Sequence, residues 1–144
     1  AIVIGKLSKN LTKDNWMDSV LGLTIANDLS ERILQGQDGT FNGNFTRAKS
    51  FDTFTPLGPY IETKIDPQDL TIQLFQNGQL RQNSHTSQMI FSCAQLVSFV
   101  STNMTLLPGD VILTGTPSGV APIESGDRLE VRIGQMQVLA RRQI

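Results

Sequence analysis

Asn77-Gly78 constrains this chain more than any other pair of residues. It stands between a stretch in which Leu70, Ile72 and Leu74 alternate with polar residues and the run Gln79 to Arg81. Asn and Gly accept the positive φ angles that a two-residue hairpin turn demands, so two antiparallel strands are expected here. A second alternating pair, Arg128 to Ile133 and Gln135 to Arg141, follows Ser125-Gly126-Asp127. Ala1 to Ile4 is a continuous apolar run bounded by Gly5, the pattern of a buried strand. A chain that opens in mid-strand without Met is expected to be part of a longer protein, here without its N-terminal portion.

The helical signals are fewer. Thr12 predicts a capped helix from about Lys13 to Leu21, with Trp16, Met17, Val20 and Leu21 inward and Gly22 ending it. Leu23 to Asn27 reads as a strand running into Asp28, and Ser30 as the cap of one helical turn, Glu31 to Gln35. Met89, Cys93, Leu96, Val97, Val100 and Met104 recur at helical spacing, which predicts an amphipathic helix capped near Thr86 or Ser87. Pro108-Gly109 turns the chain into a strand from Asp110 to Thr114. Gly36 to Thr46 is rich in Gly, Asn, Gln and Asp and reads as a long surface loop, a binding loop or lid. The expected class is α+β, mostly strand with two or three helices, in one domain spanning residues 1–144.

Charge narrows the function. Twelve Lys and Arg against thirteen Asp and Glu leave a net charge of -1, so neither a nucleic-acid footprint nor a polybasic membrane anchor is present. No apolar run approaches the roughly 20 residues that cross a bilayer. A hydrophobic share of 39% with 17% charged residues excludes a disordered chain. The single cysteine, Cys93, forms no internal disulfide, which points to a reducing compartment: the cytoplasm, or the mitochondrial matrix in a eukaryote. Asn-x-Thr matches at Asn10, Asn44 and Asn103 are read as chance.

The candidate site residues fall at strand ends. Asp28 is either a cap with Arg32 as its ion-pair partner or a ligand-binding carboxylate. Arg32 and Gln35 fall on one side of a short helix. Lys49, in Arg47-Ala48-Lys49-Ser50-Phe51-Asp52, is either a solvated loop lysine or a clamp for developing negative charge. Thr114-Gly115-Thr116-Pro117-Ser118-Gly119 is a turn or a hydroxyl-lined cradle for a carboxylate, and has neither the lysine nor the spacing of a P-loop. His85 is read as an exposed loop residue and Cys93 as core; no zinc cluster or nucleophilic triad is apparent.

Taken in order, Ala1 to Lys6, Leu23 to Gln35, Thr46 to Pro59, Asp66 to Phe91 and Thr105 to Val120 resemble the fumarylacetoacetate hydrolase family. The motifs TGTPSGV, AKSFDTFTPLGP, NGQLRQ and TSQMIFS carry the resemblance along essentially the whole chain. It implies a mixed β-sandwich roll, a homodimer, and a divalent metal, Mg²⁺ or Mn²⁺. It matches Asp28 to a metal-binding aspartate, with two further glutamate ligands and a His–Glu lid expected upstream of Ala1. Arg32, Gln35, Lys49 and Thr116 match the residues that hold a pyruvate-like 2-oxo acid, with Lys49 catalytic. Ile33 stands where the family usually has Asp, and Glu31 where a small residue is common.

The implied activity is cleavage of a C–C bond in acylpyruvate-type 2-oxo acids through a metal-stabilised enolate. Oxaloacetate-type decarboxylation, isomerisation of a 2-hydroxy-dienoate, and a non-catalytic subunit of the same fold are the alternatives.

Overall fold

Strand β1 (Ile2–Ile4) lies between β2 (Val20–Ala26) and β6 (Val111–Ile112), and burial of all three of its residues explains its unbroken apolar sequence. Ile2 pairs with Leu23 on one side and Ile112 on the other, both antiparallel. Ile2 and Ile4 are fully buried, and Val3 nearly so. With β3 (Leu57–Glu62) at the far edge, the sheet runs β3-β2-β1-β6. A second sheet runs β5-β4-β7-β8, from β4 (Thr71–Gln76), β5 (Gln79–His85), β7 (Arg128–Ile133) and β8 (Met136–Arg141). The structure is a computed structural model and describes residues 1–37 and 45–141.

Two apolar clusters follow from this layering. Ile2, Ile4, Val97, Cys93 and Leu106 pack β1 against helix α3 (Cys93–Asn103). Ile25 of β2 meets Leu70, Val131 and Ile133, which joins the first sheet to residues of and beside the second. Both antiparallel sheets and the few short helices agree with the α+β expectation.

The hairpin stands where the turn residues place it. Asn77 and Gly78 take φ values of 53° and 81°, and Gln76 pairs with Gln79. The strand after the turn runs on to His85, well beyond Arg81. His85 is therefore a strand-end residue, only part exposed. Its Nδ1 lies 2.8 Å from Ser87 Oγ, and its Nε2 lies 3.3 Å from Asp69.

Other expectations need correction. No helix forms over Lys13 to Leu21; only a 3₁₀ turn, Trp16–Ser19, occurs there, and Thr12 Oγ1 accepts from the Asp14 N–H instead of capping a helix. Val20 is drawn into the first sheet by pairing with Ile4, and the Gly5 N–H donates to Ser19 O at 2.7 Å. Sheet pairing wins over the local helical pattern, leaving Met17 and Leu21 half-exposed. Gly22 is a mid-strand residue opposite Val3. The strand expected over Asp110 to Thr114 shrinks to Val111–Ile112. Of the loop expected over Gly36 to Thr46, Gly36 belongs to helix α1 (Arg32–Gln37), and Phe45 and Thr46 to α2 (Phe45–Lys49). Residues 38–44 lie outside the described residues.

Helix α3 starts later than Thr86 or Ser87, which form a separate 3₁₀ turn, Thr86–Gln88. Its cap is Ser92: Ser92 Oγ accepts from the Gln95 N–H, and Gln95 Oε1 accepts from the Ser92 N–H at 2.8 Å. This reciprocal pair satisfies two donors at the helix start. Ser92→Ala is expected to cost about 1 kcal/mol, a fall of a few degrees in a thermal melt. An unchanged melting temperature would show that the box contributes nothing.

Contacts divide the chain into two compact units, Ala1–Ile25 with Gly58–Ile144, and Ala26–Leu57. The two sheets and α3 lie essentially in the first. The second holds α1, α2 and most of the candidate site.

Candidate functional site

The unit Ala26–Leu57 is built by three backbone hydrogen bonds that tie its incoming chain to its outgoing chain. The N–H groups of Asn27, Leu29 and Glu31 donate to the carbonyls of Pro56, Phe54 and Ala48 at 3.2, 3.0 and 2.9 Å. Alternate residues donate because the segment is extended, so the residues between them face the other way. Ala48 and Phe54 are buried, and the Phe51 and Phe54 rings meet tilted, with centroids 5.1 Å apart. This small core fixes α2 against the segment that carries Asp28.

Lys49, the last residue of α2, makes an ion pair with Asp28, and each side chain is about one-third exposed. The cap-and-partner reading of Asp28 is thus corrected: its partner is Lys49 and not Arg32. Arg32 turns along its own helix, and its Nη1 donates to Gln35 Oε1 at 2.8 Å. Among the described residues, Gln35 Nε2 is a buried donor without a hydrogen-bond partner, and Asn27 Nδ2 is in the same condition. An unsatisfied buried donor costs roughly 1–3 kcal/mol, which a ligand oxygen would recover. Four expected site residues, Asp28, Arg32, Gln35 and Lys49, therefore share this unit as two pairs.

The two unusual positions beside them have separate explanations. Glu31 Oε1 accepts the Ile33 N–H at 3.0 Å, so the carboxylate supports the first turn of α1. Ile33 itself is 73% exposed, which leaves its apolar side chain in solvent.

Thr116 belongs to the other unit. It is exposed on the segment after β6, and its Oγ1 accepts from Gln82 Nε2 at 2.8 Å. Gln82 is a residue the sequence reasoning missed, as is Asn27. The signal for Gln82 was its place as the last residue of NGQLRQ; Asn27 was signalled only by standing next to Asp28. Cys93, the first residue of α3, is buried, and burial pushes its thiol pKa up, so it stays protonated and is a packing residue.

A divalent ion needs more than this set offers. Among the described residues no three His, Cys, Asp or Glu side chains converge. Asp28 supplies one hard carboxylate, already paired with Lys49, and Mg²⁺ held by a single carboxylate keeps most of its water. Asp28 suits one position of a metal site; the described residues do not complete it.

The family model for the fumarylacetoacetate (FAA) hydrolase C-terminal domain matches residues 1–142, and the chain belongs to this family. An uncharacterized protein of Methanocaldococcus jannaschii is 50% identical over 139 residues, covering 96% of this chain and 57% of that protein. The mitochondrial oxaloacetate tautomerase Fahd2a of Rattus norvegicus is 39% identical, covering 96% of this chain and 47% of its own length.

Among solved structures, 2-hydroxyhepta-2,4-diene-1,7-dioate isomerase from Mycobacterium marinum superposes with a TM-score of 0.91. It is 45% identical and covers 96% of this chain and 54% of that one. Maleylpyruvate hydrolase from Sphingobium sp. SYK-6, in complex with manganese(II) ion and pyruvate, gives a TM-score of 0.85 at 33% identity. It covers 97% of this chain and 50% of that one. The chain spans about half the length of the curated relatives it matches.

Proposed function

We propose that these 144 residues are the FAH-type catalytic domain of an enzyme that hydrolyses a C–C bond in acylpyruvate-type 2-oxo acids. The observation that carries the proposal is the buried Gln35 Nε2, without a partner among the described residues, in the same unit as the Lys49–Asp28 pair. A donor and a cation are what the adjacent carboxylate and keto oxygens of such a substrate require. The hydrolase relative solved with manganese and pyruvate supports the same substrate class.

In this reading Gln35 Nε2 and Arg32 hold substrate oxygens; for Thr116, on the family resemblance alone, we propose that its hydroxyl donates to a substrate carboxylate. Lys49 supplies positive charge where the enolate oxygen develops. Water adds to the distal acyl carbonyl, the bond from that carbon to C3 breaks, and its electron pair becomes the pyruvate enolate. Protonation of C3 then releases pyruvate and a carboxylic acid. A bound Mg²⁺ or Mn²⁺ would lend Lewis acidity to the 2-oxo acid oxygens, with Asp28 as one ligand and the remaining carboxylates supplied by chain outside these residues. A homodimer in the cytoplasm, or in a mitochondrial matrix, completes the proposal.

The test is pyruvate release from fumarylpyruvate or another acylpyruvate by the protein that carries this chain. Gln35→Leu is expected to raise KM about tenfold, the loss of a hydrogen bond to a charged group. No pyruvate release from any acylpyruvate would refute hydrolysis. The 39% identity to an oxaloacetate tautomerase and the close superposition on an isomerase favour one second reading, enol–keto isomerisation. It would be seen as an absorbance change of the 2-oxo acid with no C–C cleavage.

A further inference from the structure

The segment that carries Thr116 is gripped by β5. Gln82 is 7% exposed, and its Nε2 donates to Thr116 Oγ1 at 2.8 Å and to the Pro117 carbonyl at 2.7 Å. Two residues further on, Gly119 (φ 99°) passes so close to the Arg81 carbonyl that a Cβ there would collide with it. The orientation of the Gln82 amide follows from chemistry. A carbonyl only accepts, so the amide nitrogen must face Pro117, and the same nitrogen faces Thr116. Thr116 Oγ1 is therefore the acceptor of that bond. Its own hydrogen cannot point along the same line, and it has no acceptor among the described residues.

We infer that Gln82 is a positioning residue: it polarises Thr116 so that the exposed hydroxyl acts as a hydrogen-bond donor toward an anionic oxygen, here the carboxylate of a 2-oxo acid. This rests on the proposed role of Thr116 in binding substrate. A threonine hydroxyl left alone both donates and accepts and turns freely between the two. With one lone pair engaged by Gln82, turning the proton toward that nitrogen becomes unfavourable, and the hydroxyl presents itself as a donor. Oxygen anions are selected over amines or other donors for the same reason. Gln82 touches no substrate in this scheme.

Three variants of the full-length protein containing this chain test the idea, with pyruvate as the probe and affinity read by calorimetry. Thr116→Val is expected to weaken pyruvate about tenfold. Gln82→Leu removes the polarising donor and is expected to weaken it by a smaller factor. Gln82→Glu keeps the size but reverses the bond: the new carboxylate accepts the hydrogen bond of the Thr116 hydroxyl, so its effect is expected to equal or exceed that of Thr116→Val. In a Thr116→Val background neither change at Gln82 is expected to weaken pyruvate further, whereas a merely structural role would add its effect.

Full affinity in both Gln82 variants beside a weakened Thr116→Val overturns the inference and leaves the substrate reading standing. Full affinity in Thr116→Val removes the substrate role of Thr116 and the inference with it. Thermal melts establish that the variants fold. Should the Gln82 variants unfold, the side-chain amide resonances of Gln82 in the unaltered protein are expected to shift on adding pyruvate but not on adding chloride. No shift overturns the inference.

Discussion

Lys49→Ala is expected to reduce turnover of a 2-oxo acid substrate by about 100- to 1,000-fold while the protein keeps its fold. The magnitude is that of removing one preorganised charge from a developing oxyanion. The stability side follows from exposure. Lys49 and Asp28 are each about one-third open to solvent, and such a pair contributes at most about 1 kcal/mol after screening. The melting temperature should therefore move by only a few degrees. Lys49→Arg tests shape against charge: it preserves the cation, but its planar fork cannot occupy the place of a compact ammonium. It is expected to recover the melting temperature and little of the activity. Activity within tenfold of wild type in Lys49→Ala would exclude a catalytic role and leave the lysine as a structural partner of Asp28.

What was legible in the sequence was what local chemistry decides. Asn77-Gly78 needs nothing distant to form its turn, and the observed φ angles follow from the two residue types. The apolar run of β1 was readable because a strand buried on both faces has no solvent side to mark with polar residues. The start of α3 was legible too, but by a signal that was passed over. Ser92 has Gln95 three residues on, the capping-box spacing, whereas Thr86 and Ser87 are followed at that distance by Met89 and Ile90. The segment Lys13 to Leu21 failed for the opposite reason. Its pattern is helical over a short window, and only the pairing of Val20 with Ile4 shows that the residues are needed in a sheet.

The candidate site divides in the same way. Arg32 and Gln35 could be placed on one helix side from spacing alone, and they do meet. The Asp28–Lys49 pair could not, because 21 residues and a second helix separate its members. Family resemblance singled out both residues without telling that they are partners. Gln82 was hidden by its type, since a polar residue on a strand beside a hairpin turn reads as solvent-facing until the Pro117 carbonyl is found opposite it.

Gly22→Ala is expected to destabilise the protein by about 3 kcal/mol, the upper range for forcing an extra carbon into a packed site. The position was read from sequence as the end of a helix, where replacing a left-handed Gly by Ala costs only about 1–2 kcal/mol. In the structure it lies in β2 opposite Val3, buried, with β3 on its other side. A Cβ built there would meet the Glu62 carbonyl oxygen in direct collision, Ile61 Cγ2 at 2.7 Å and the Glu62 carbonyl carbon at 3.0 Å. Ile61 could turn aside, but two of the three obstacles are backbone, so relief requires β3 to move away and its pairing to β2 to weaken. Thr24 Oγ1 donates to Tyr60 O at 2.9 Å on the same edge and would be disturbed with it. Leu21→Ala supplies the control: its side chain is half-exposed, so the loss should be clearly smaller although three carbons are removed where Gly22→Ala adds only one. Denaturant melts of the two variants decide the matter. A Gly22→Ala protein no less stable than Leu21→Ala would mean that β2 and β3 do not approach as closely as the glycine requires.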